Sequence, residues 1–87
     1  MARYRVVIKP SARKEIETVG QKKDRQRVVS RIRSLADNPR PFGCEKLSGQ
    51  LDRYRVREGN YRIVYLVDDE HLLVDVVKVG HRRDVYR

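Results

Sequence analysis

The sequence is poor in the residues that disulfide frameworks and metal sites require. Its 87 residues include one cysteine, Cys44, and two histidines. A single cysteine excludes an internal disulfide, and one cysteine with two histidines is too few to close a four-coordinate zinc site. We therefore expect neither metal nor cofactor, and we interpret Cys44 as a reduced thiol rather than a nucleophile.

Long apolar runs are absent as well. The first apolar stretch, Val6-Val7-Ile8, is far shorter than the roughly 20 residues of a membrane-spanning helix, and no signal-peptide pattern accompanies it. Hydrophobic residues make up 39% of the chain, which suffices for one small core. The sequence thus predicts a single cytoplasmic domain over residues 1–87.

Acidic residues are few relative to basic ones. Lysine and arginine total 21 against 12 aspartates and glutamates, which gives a formal net charge of +9. An excess of this size favours a polyanionic partner, namely nucleic acid, an anionic membrane or an acidic protein.

Arginines are concentrated in one predicted hairpin. Two alternating runs flank Gly59-Asn60, a strong hairpin signal that places Arg57 opposite Arg62. The predicted core face of the hairpin comprises Tyr54, Val56, Ile63 and Tyr65. The other face, which we call the arginine face, comprises Arg53, Arg55, Arg57 and Arg62. Like charges across a ladder destabilise it, so such a face persists only if it is well solvated or binds a polyanion.

The remaining segments predict the order strand, helix, helix and three-stranded meander. Residues 4–8 indicate the first strand, and Pro10-Ser11 begins a helix with serine as its cap. A second helix begins at Asp24 and ends before Asn38-Pro39, because a residue before proline avoids the helical conformation. Residues 40–51 are predicted to form a loop. The predicted fold is α+β, a β-α-α-β-β-β chain with the helix hairpin packed on one face of a small antiparallel sheet.

The last strand of the meander depends on where its turn falls. With the tip at Asp69-Glu70, alternation assigns Leu72, Val74 and Val76 to the core face, and Leu73, Asp75, Val77 and Val79 to the arginine face. Asp75 is then expected near Val64 and Arg55, where it partly balances the cationic cluster. A basic tail, residues 80–87, follows this strand.

Four fragments, in their order and spacing, are typical of one family. They are Lys46-Leu47-x-Gly49, Tyr54-Arg55-Val56-Arg57, residues 59–65 and Val79-Gly80-His81-Arg82 followed by Tyr86. Over almost its whole length the chain resembles the RelE side of the RelE/ParE toxin superfamily. The resemblance implies the toxin of a type II toxin–antitoxin system, an endoribonuclease that cuts messenger RNA on the ribosome without metal and so arrests translation. It also implies a small RelB-like antitoxin as a partner, besides the ribosome and mRNA.

The resemblance implies roles for individual residues. Carried over by position, the substrate-binding cations are Arg55 and Arg57, with Arg53 beside them, and the catalytic set includes Arg62, Arg82 and Tyr86. By the resemblance, Arg62 binds the phosphate, Arg82 stabilises the phosphate or protonates the leaving group, and Tyr86 stacks on or orients a nucleotide. The RNA supplies its own 2′-hydroxyl as nucleophile, so the protein has to orient it, transfer protons and neutralise the phosphate.

The residue that accepts the proton is open. Some family members have lysines at the positions of Arg55 and Arg57, but a guanidinium keeps its proton because its pKa exceeds ~12. The candidates are His81, Tyr86 and Glu45. A fourth possibility is that the ribosome supplies the group.

Two other functions fit the same features. One is a gyrase-poisoning toxin of the ParE branch, a binding protein on the same fold that generally lacks the arginine-and-tyrosine set. The other is a basic nucleic-acid-binding domain without catalysis. Transcript cleavage would indicate the endoribonuclease, and DNA damage without cleavage would indicate the ParE-like toxin. Neither effect would indicate the basic binding domain.

Overall fold

A computed structural model of the protein describes residues 3–47 and 52–81. Its elements are β1 (Arg5–Ile8), α1 (Pro10–Glu17), α2 (Lys22–Ser34), β2 (Glu45–Lys46), β3 (Arg53–Glu58), β4 (Tyr61–Asp68) and β5 (Leu73–His81). The strands form one five-stranded sheet in the order β1-β5-β4-β3-β2. The α+β class and the order of helices and main strands are confirmed.

The sheet is mixed rather than wholly antiparallel. Strand β1 pairs in parallel with β5, while the other neighbouring pairs are antiparallel. After β1, at one edge of the sheet, the chain passes through the two helices and enters the sheet again at the opposite edge as β2. The strands β3, β4 and β5 then follow in order, so that β5 lies beside β1. The predicted loop over residues 40–51 also contains a short strand, β2, which pairs with β3.

The helices begin close to where the sequence placed them. Pro10 occupies the first turn of α1, where its missing N–H costs nothing. The cap position is Lys9, whose side chain makes no capping bond, so the prediction of Ser11 as the cap is wrong. Helix α2 begins at Lys22, and Asp24 lies in its first turn, where a carboxylate is favourable near the positive end of the helix dipole. Within the described ranges, neither helix has the length and apolarity needed to cross a bilayer.

One core lies between the helices and the sheet. Its members include Val28, Ile32 and Leu35 of the second helical segment, which pack with the valines and tyrosines of β3, β4 and β5. Tyr65 is fully buried, and its hydroxyl donates to the Pro39 carbonyl at 2.7 Å. The predicted apolar face of the arginine hairpin is confirmed, since all four of its residues are buried.

A bulge shifts the register between β4 and β5. Tyr65 pairs with Val76 but Val64 pairs with Lys78, so Val77 is the extra residue. Alternation therefore changes beyond the bulge, and Val79 joins the core at 1% exposure instead of the arginine face. Two further predictions of this strand are wrong. Leu72 is 38% exposed rather than part of the core face, and Asp75 pairs with Leu66 rather than Val64.

A polar cluster fixes the segment between α2 and β2. The Arg40 guanidinium donates to Asp69 at 3.0 and 2.8 Å and to the Tyr54 hydroxyl at 2.9 Å. The Tyr4 hydroxyl donates to the same carboxylate at 2.6 Å. These bonds hold the pKa of Asp69 near 2, because a carboxylate that accepts from a guanidinium favours its charged form. The cluster thereby connects the residues before β1, the loop before β2 and the turn after β4.

Candidate functional site

Strand β3 builds the arginine face by simple alternation. Tyr54 and Val56 point into the core, at 7% and 1% exposure, so Arg53, Arg55 and Arg57 project from the opposite side. The hairpin turn then sets the register, and Arg57 pairs with Arg62 as the sequence predicted.

Arg62 occupies the central strand at the hairpin end of this face. Its exposed fraction is 3%, whereas Arg57 across from it is exposed. On its other side Arg62 pairs with Gly80 of β5, which contributes no side chain. The backbone of Arg62 is therefore fixed between two paired strands, and its positive charge lies beside the exposed Arg57.

Glu45 lies on the arginine face as well. Strand β2 pairs Glu45 with Arg55, and their side chains form a close ion pair. The Arg55 side chain is 11% exposed and the Glu45 side chain 61%, so the carboxylate is open to a ligand from solvent. The sequence placed Glu45 in an irregular loop, and the strand pairing that brings it to Arg55 follows from the tertiary fold.

The bulge in β5 sets the backbone position of Lys78, but the ammonium group of this residue turns to the first helix. Lys78 takes the position opposite Val64, in the same cross-strand row as Arg55 and Glu45. Its Nζ lies 3.3 Å from Glu15, whose other carboxylate oxygen accepts from the Val79 N–H at 3.0 Å. Lys78 also lines the cavity that contains His81, so it adds no cation to the arginine face.

His81 takes the other side of the sheet. It pairs with Tyr61, one residue beyond the Arg62–Gly80 pair, so strand alternation directs it away from the arginines. The rings of Tyr61 and His81 meet edge to face with centroids 5.7 Å apart. Both residues line a cavity of about 240 Å³ together with Glu15 and Thr18 of the first helical segment. The described geometry thus separates His81 from the arginine face.

The remaining site predictions fall in different places. Arg53 lies in a row with Leu66 and Asp75, so Asp75 is positioned towards that arginine and not towards Arg55. Arg82 and Tyr86 lie outside the described residues, and their roles stay predictions. Among residues 3–47 and 52–81, no three histidine, cysteine or acidic side chains are grouped as metal ligands.

The described site therefore combines three strand arginines with one carboxylate. The exposed Arg57 can donate to phosphate oxygens, Arg55 and Arg62 add positive charge beside it, and Glu45 can accept a proton or a hydrogen bond. A phosphodiester laid along this face would meet positive charge at two successive cross-strand rows.

Comparison with known proteins identifies the family. The family described as the ParE toxin of the type II toxin–antitoxin system, parDE, matches residues 6–86. The chain belongs to the RelE/ParE toxin superfamily. A RelE-like toxin protein of Escherichia coli is 36% identical over 88 residues, which cover 97% of this chain and 90% of the relative. These matches confirm the resemblance to RelE-type toxins.

This RelE-type chain is also similar to two further RelE proteins. A protein of Escherichia coli strain K12 named as the mRNA interferase toxin RelE is 35% identical over 60 residues, covering 67% of this chain and 62% of that protein. The toxin in the archaeal RelE–RelB complex from Pyrococcus horikoshii is 29% identical with a TM-score of 0.81, covering 97% of this chain and 99% of that one. The helix pair and five-stranded sheet are thus those of solved RelE structures.

Proposed function

We propose that this RelE-type toxin is a metal-independent endoribonuclease that cuts mRNA on the ribosome. The observation that carries the proposal is the pairing of Arg57 with Arg62 on a face that also holds Arg55. Like charges opposite each other destabilise a ladder, so a bound polyanion is the simplest reason for the arrangement. The name of the K12 relative, an mRNA interferase, supports cleavage of mRNA over simple binding.

The chemistry that we propose uses the substrate's own nucleophile. The 2′-hydroxyl of the RNA attacks the adjacent phosphorus, the bond to the 5′-oxygen of the next nucleotide breaks, and a cyclic phosphate remains. Arg62 stabilises the charge on the phosphate, and Arg55 and Arg57 hold the strand in register. Arg82 joins Arg62 at the phosphate or protonates the leaving oxygen, and Tyr86 orients a nucleotide, as the family resemblance implies.

The proton acceptor that we favour is Glu45. Its carboxylate pairs with Arg55 on the arginine face, whereas His81 packs against Tyr61 on the side of the helices. A general base has to reach the hydroxyl whose proton it removes, and the phosphate-binding arginines fix where that hydroxyl lies. This geometry moves the expectation from His81 towards Glu45. Tyr86 stays a candidate.

An acidic antitoxin is the proposed protein partner. The Pyrococcus horikoshii structure is a complex of RelE with RelB, and the net charge of +9 favours an acidic cover in this chain too. We propose that a RelB-like antitoxin covers or displaces the arginine face and lays an apolar helix on the toxin.

A ParE-like activity is the second candidate. The matching family is described as the ParE toxin, and toxins of the ParE branch poison gyrase, so DNA gyrase is the alternative target. The arginine face favours the ribonuclease, because a toxin that only binds gyrase needs no phosphate-binding residues around a reacting bond.

Primer-extension mapping of a reporter transcript after toxin induction tests the proposal. We expect cuts with the parent chain and their loss with Arg62→Ala and Arg82→Ala, since removing one preorganised donor costs roughly 10²–10³ in rate. Arg33→Ala, on the exposed side of α2, is the matched control and should cut normally. Undiminished cuts in both mutants at equal protein level would refute the site assignment. DNA damage without transcript cleavage by the parent chain would instead support the ParE-like target.

A further inference from the structure

Phe42 is the most exposed large apolar side chain in the described part of the chain. Its exposed fraction is 101%, against 37% for Val7 and 38% for Leu72. A lone exposed apolar residue is common on protein surfaces and indicates nothing by itself. Phe42 differs because the backbone that carries it is firmly held.

The turn at residues 41–44 points Phe42 outwards. The Cys44 N–H donates to the Pro41 carbonyl at 3.0 Å, and Gly43 has a φ of 89°. This is the pattern of a type II turn with Phe42 in its second position and glycine in the third, where a positive φ is required. The phenyl ring is thereby presented at the tip of the turn.

Both flanks of the turn are anchored. On one side the Tyr65 hydroxyl donates to the Pro39 carbonyl, and Arg40 forms its two bonds to Asp69. On the other side Cys44 packs against the core. The free protein therefore already orders the backbone that carries the ring, and a ligand would gain its contact without having to order the loop.

The turn leads directly into β2, the strand that carries Glu45. Glu45 pairs with Arg55 in an antiparallel ladder, so the chain before Glu45 runs towards the Arg57 end of β3. Phe42 is three residues before Glu45, and consecutive Cα atoms are ~3.8 Å apart, so their Cα atoms are within ~11 Å of each other. A strand of RNA bound to the arginines can reach this ring within a few nucleotides.

We propose that Phe42 is a stacking platform for an unpaired base of the RNA whose phosphates the arginine face holds. The inference rests on the proposed function in taking RNA as the substrate, and it adds a binding position for a base. Proteins that bind single strands combine a cationic surface along the phosphates with aromatic rings on which bases stack.

The surroundings of Phe42 favour a base over a protein partner. A protein anchor needs contiguous apolar surface around it. Of the described residues, the other exposed large apolar side chains are Val7 on β1 and Leu72 in the turn after β4, and neither packs against Phe42, whose exposed fraction is 101%. A base that stacks on Phe42 needs no such surface, because stacking uses the face of the ring alone.

Binding of a short single-stranded RNA to the whole toxin tests the platform. The RNA carries 2′-O-methyl groups, which block cleavage, and a fluorescent adenine analogue that stacking quenches. Phe42→Leu, which keeps apolar volume but lacks a flat face, should weaken binding roughly 5- to 150-fold and abolish quenching. Phe42→Trp should retain both. Leu72→Asn is the matched control for loss of an exposed apolar side chain, and it should bind like the parent.

The salt dependence of the same binding separates stacking from charge. Phe42→Leu should leave the slope of log K against log salt unchanged, because the phosphate contacts remain, whereas Arg57→Ala should reduce that slope. Parental affinity and quenching in Phe42→Leu would overturn the platform. So would weaker binding of an acidic antitoxin by Phe42→Leu with RNA binding intact, since that result makes Phe42 a protein anchor.

The assay also separates failure of the platform from failure of the proposed function. If the parent chain cuts transcripts on ribosomes and Phe42→Leu binds RNA normally, the platform is wrong and the ribonuclease stands. If RNA binding depends on Phe42 but the parent chain cuts no transcript, the platform stands and catalysis is wrong.

Discussion

The assignment of a proton acceptor depends on which side of the sheet a side chain occupies. Glu45 and Arg55 share the arginine side, while Tyr61 and His81 share the helix side. Arginines hold a phosphate well but keep their protons near neutral pH. Of the two candidates within the described residues, Glu45 is therefore the one whose position fits the chemistry.

We expect Glu45→Gln to lower single-turnover cleavage on programmed ribosomes by roughly 10²–10⁴, because the amide cannot accept the proton. Arg57→Lys should preserve cleavage, since that residue supplies charge only. Glu58→Gln, which removes a carboxylate from the same hairpin on the helix side, is the matched control. A parental rate in Glu45→Gln, with His81→Gln inactive, would return the role to the histidine.

Among the elements, the arginine hairpin depends on one glycine. Gly59 has a φ of 60°, and a Cβ built there would contact nothing within 4 Å. Glycine adopts this conformation freely, whereas other residues pay a steric cost in their own backbone. Glycine is thus required at position 59 by the backbone conformation of the turn, and not by a lack of space for a side chain.

Gly59→Ala should lower the free energy of unfolding by about 1–2 kcal/mol, as measured by urea denaturation. Gly20→Ala is the matched control, because a Cβ there also meets nothing within 4 Å and the backbone has no positive φ. That variant should be neutral or slightly stabilising. Equal destabilisation by both substitutions would contradict the conformational explanation.

The cluster around Asp69 ties three loops together through charge. Its pKa of about 2 lies below the usual 3.8, first because of the bonds from Arg40 and then because of the Tyr4 hydroxyl. A carboxyl whose pKa is depressed on folding stabilises the fold above its unfolded pKa and loses that contribution as the pH falls through the folded value. The contribution of Asp69 should therefore disappear between about pH 4 and pH 2.

We expect Asp69→Asn to flatten the dependence of the unfolding free energy on pH across this acidic window. Thermal unfolding followed by circular dichroism at a series of pH values measures it. Asp37→Asn removes a carboxylate from an exposed pair with Arg3, with atoms 3.8 Å apart, and should change the curve less. An identical pH curve for Asp69→Asn and the parent would show that the cluster adds nothing.

At the scale of the whole molecule, charge governs which partners approach. The formal net charge of +9 attracts RNA and acidic proteins alike, so salt should separate the two kinds of complex. RNA binding depends on released counterions, and its affinity should fall steeply between low and physiological salt, with a slope near −0.7 for each phosphate contacted.

The complex with a RelB-like antitoxin should depend less on salt than RNA binding does, because an apolar helix adds contacts that ions do not screen. Titrations of labelled RNA and of antitoxin across one salt series measure both slopes. Equal slopes would refute the apolar part of the proposed antitoxin interface.

Local patterns in the sequence determined the hairpin and the helices. Alternation around Gly59-Asn60 sets which residues face the core and pairs Arg57 with Arg62, because a two-residue turn leaves one register. Spacing of apolar residues likewise set the inner stripe of the second helical segment. These features depend on contacts between near neighbours in the chain.

Only the tertiary structure decided the features that join distant segments. The parallel pairing of β1 with β5, the bulge at Val77 and the pairing of β2 with β3 have no local signal, because each depends on how separate segments fill one core. The bulge reassigned Val79 to the core, and the turn over residues 69–72, longer than predicted, placed Asp75 in the row of Arg53. The β2 pairing brought Glu45 to Arg55, and the segment between them has neither a clear period nor a two-residue turn from which this register could be predicted.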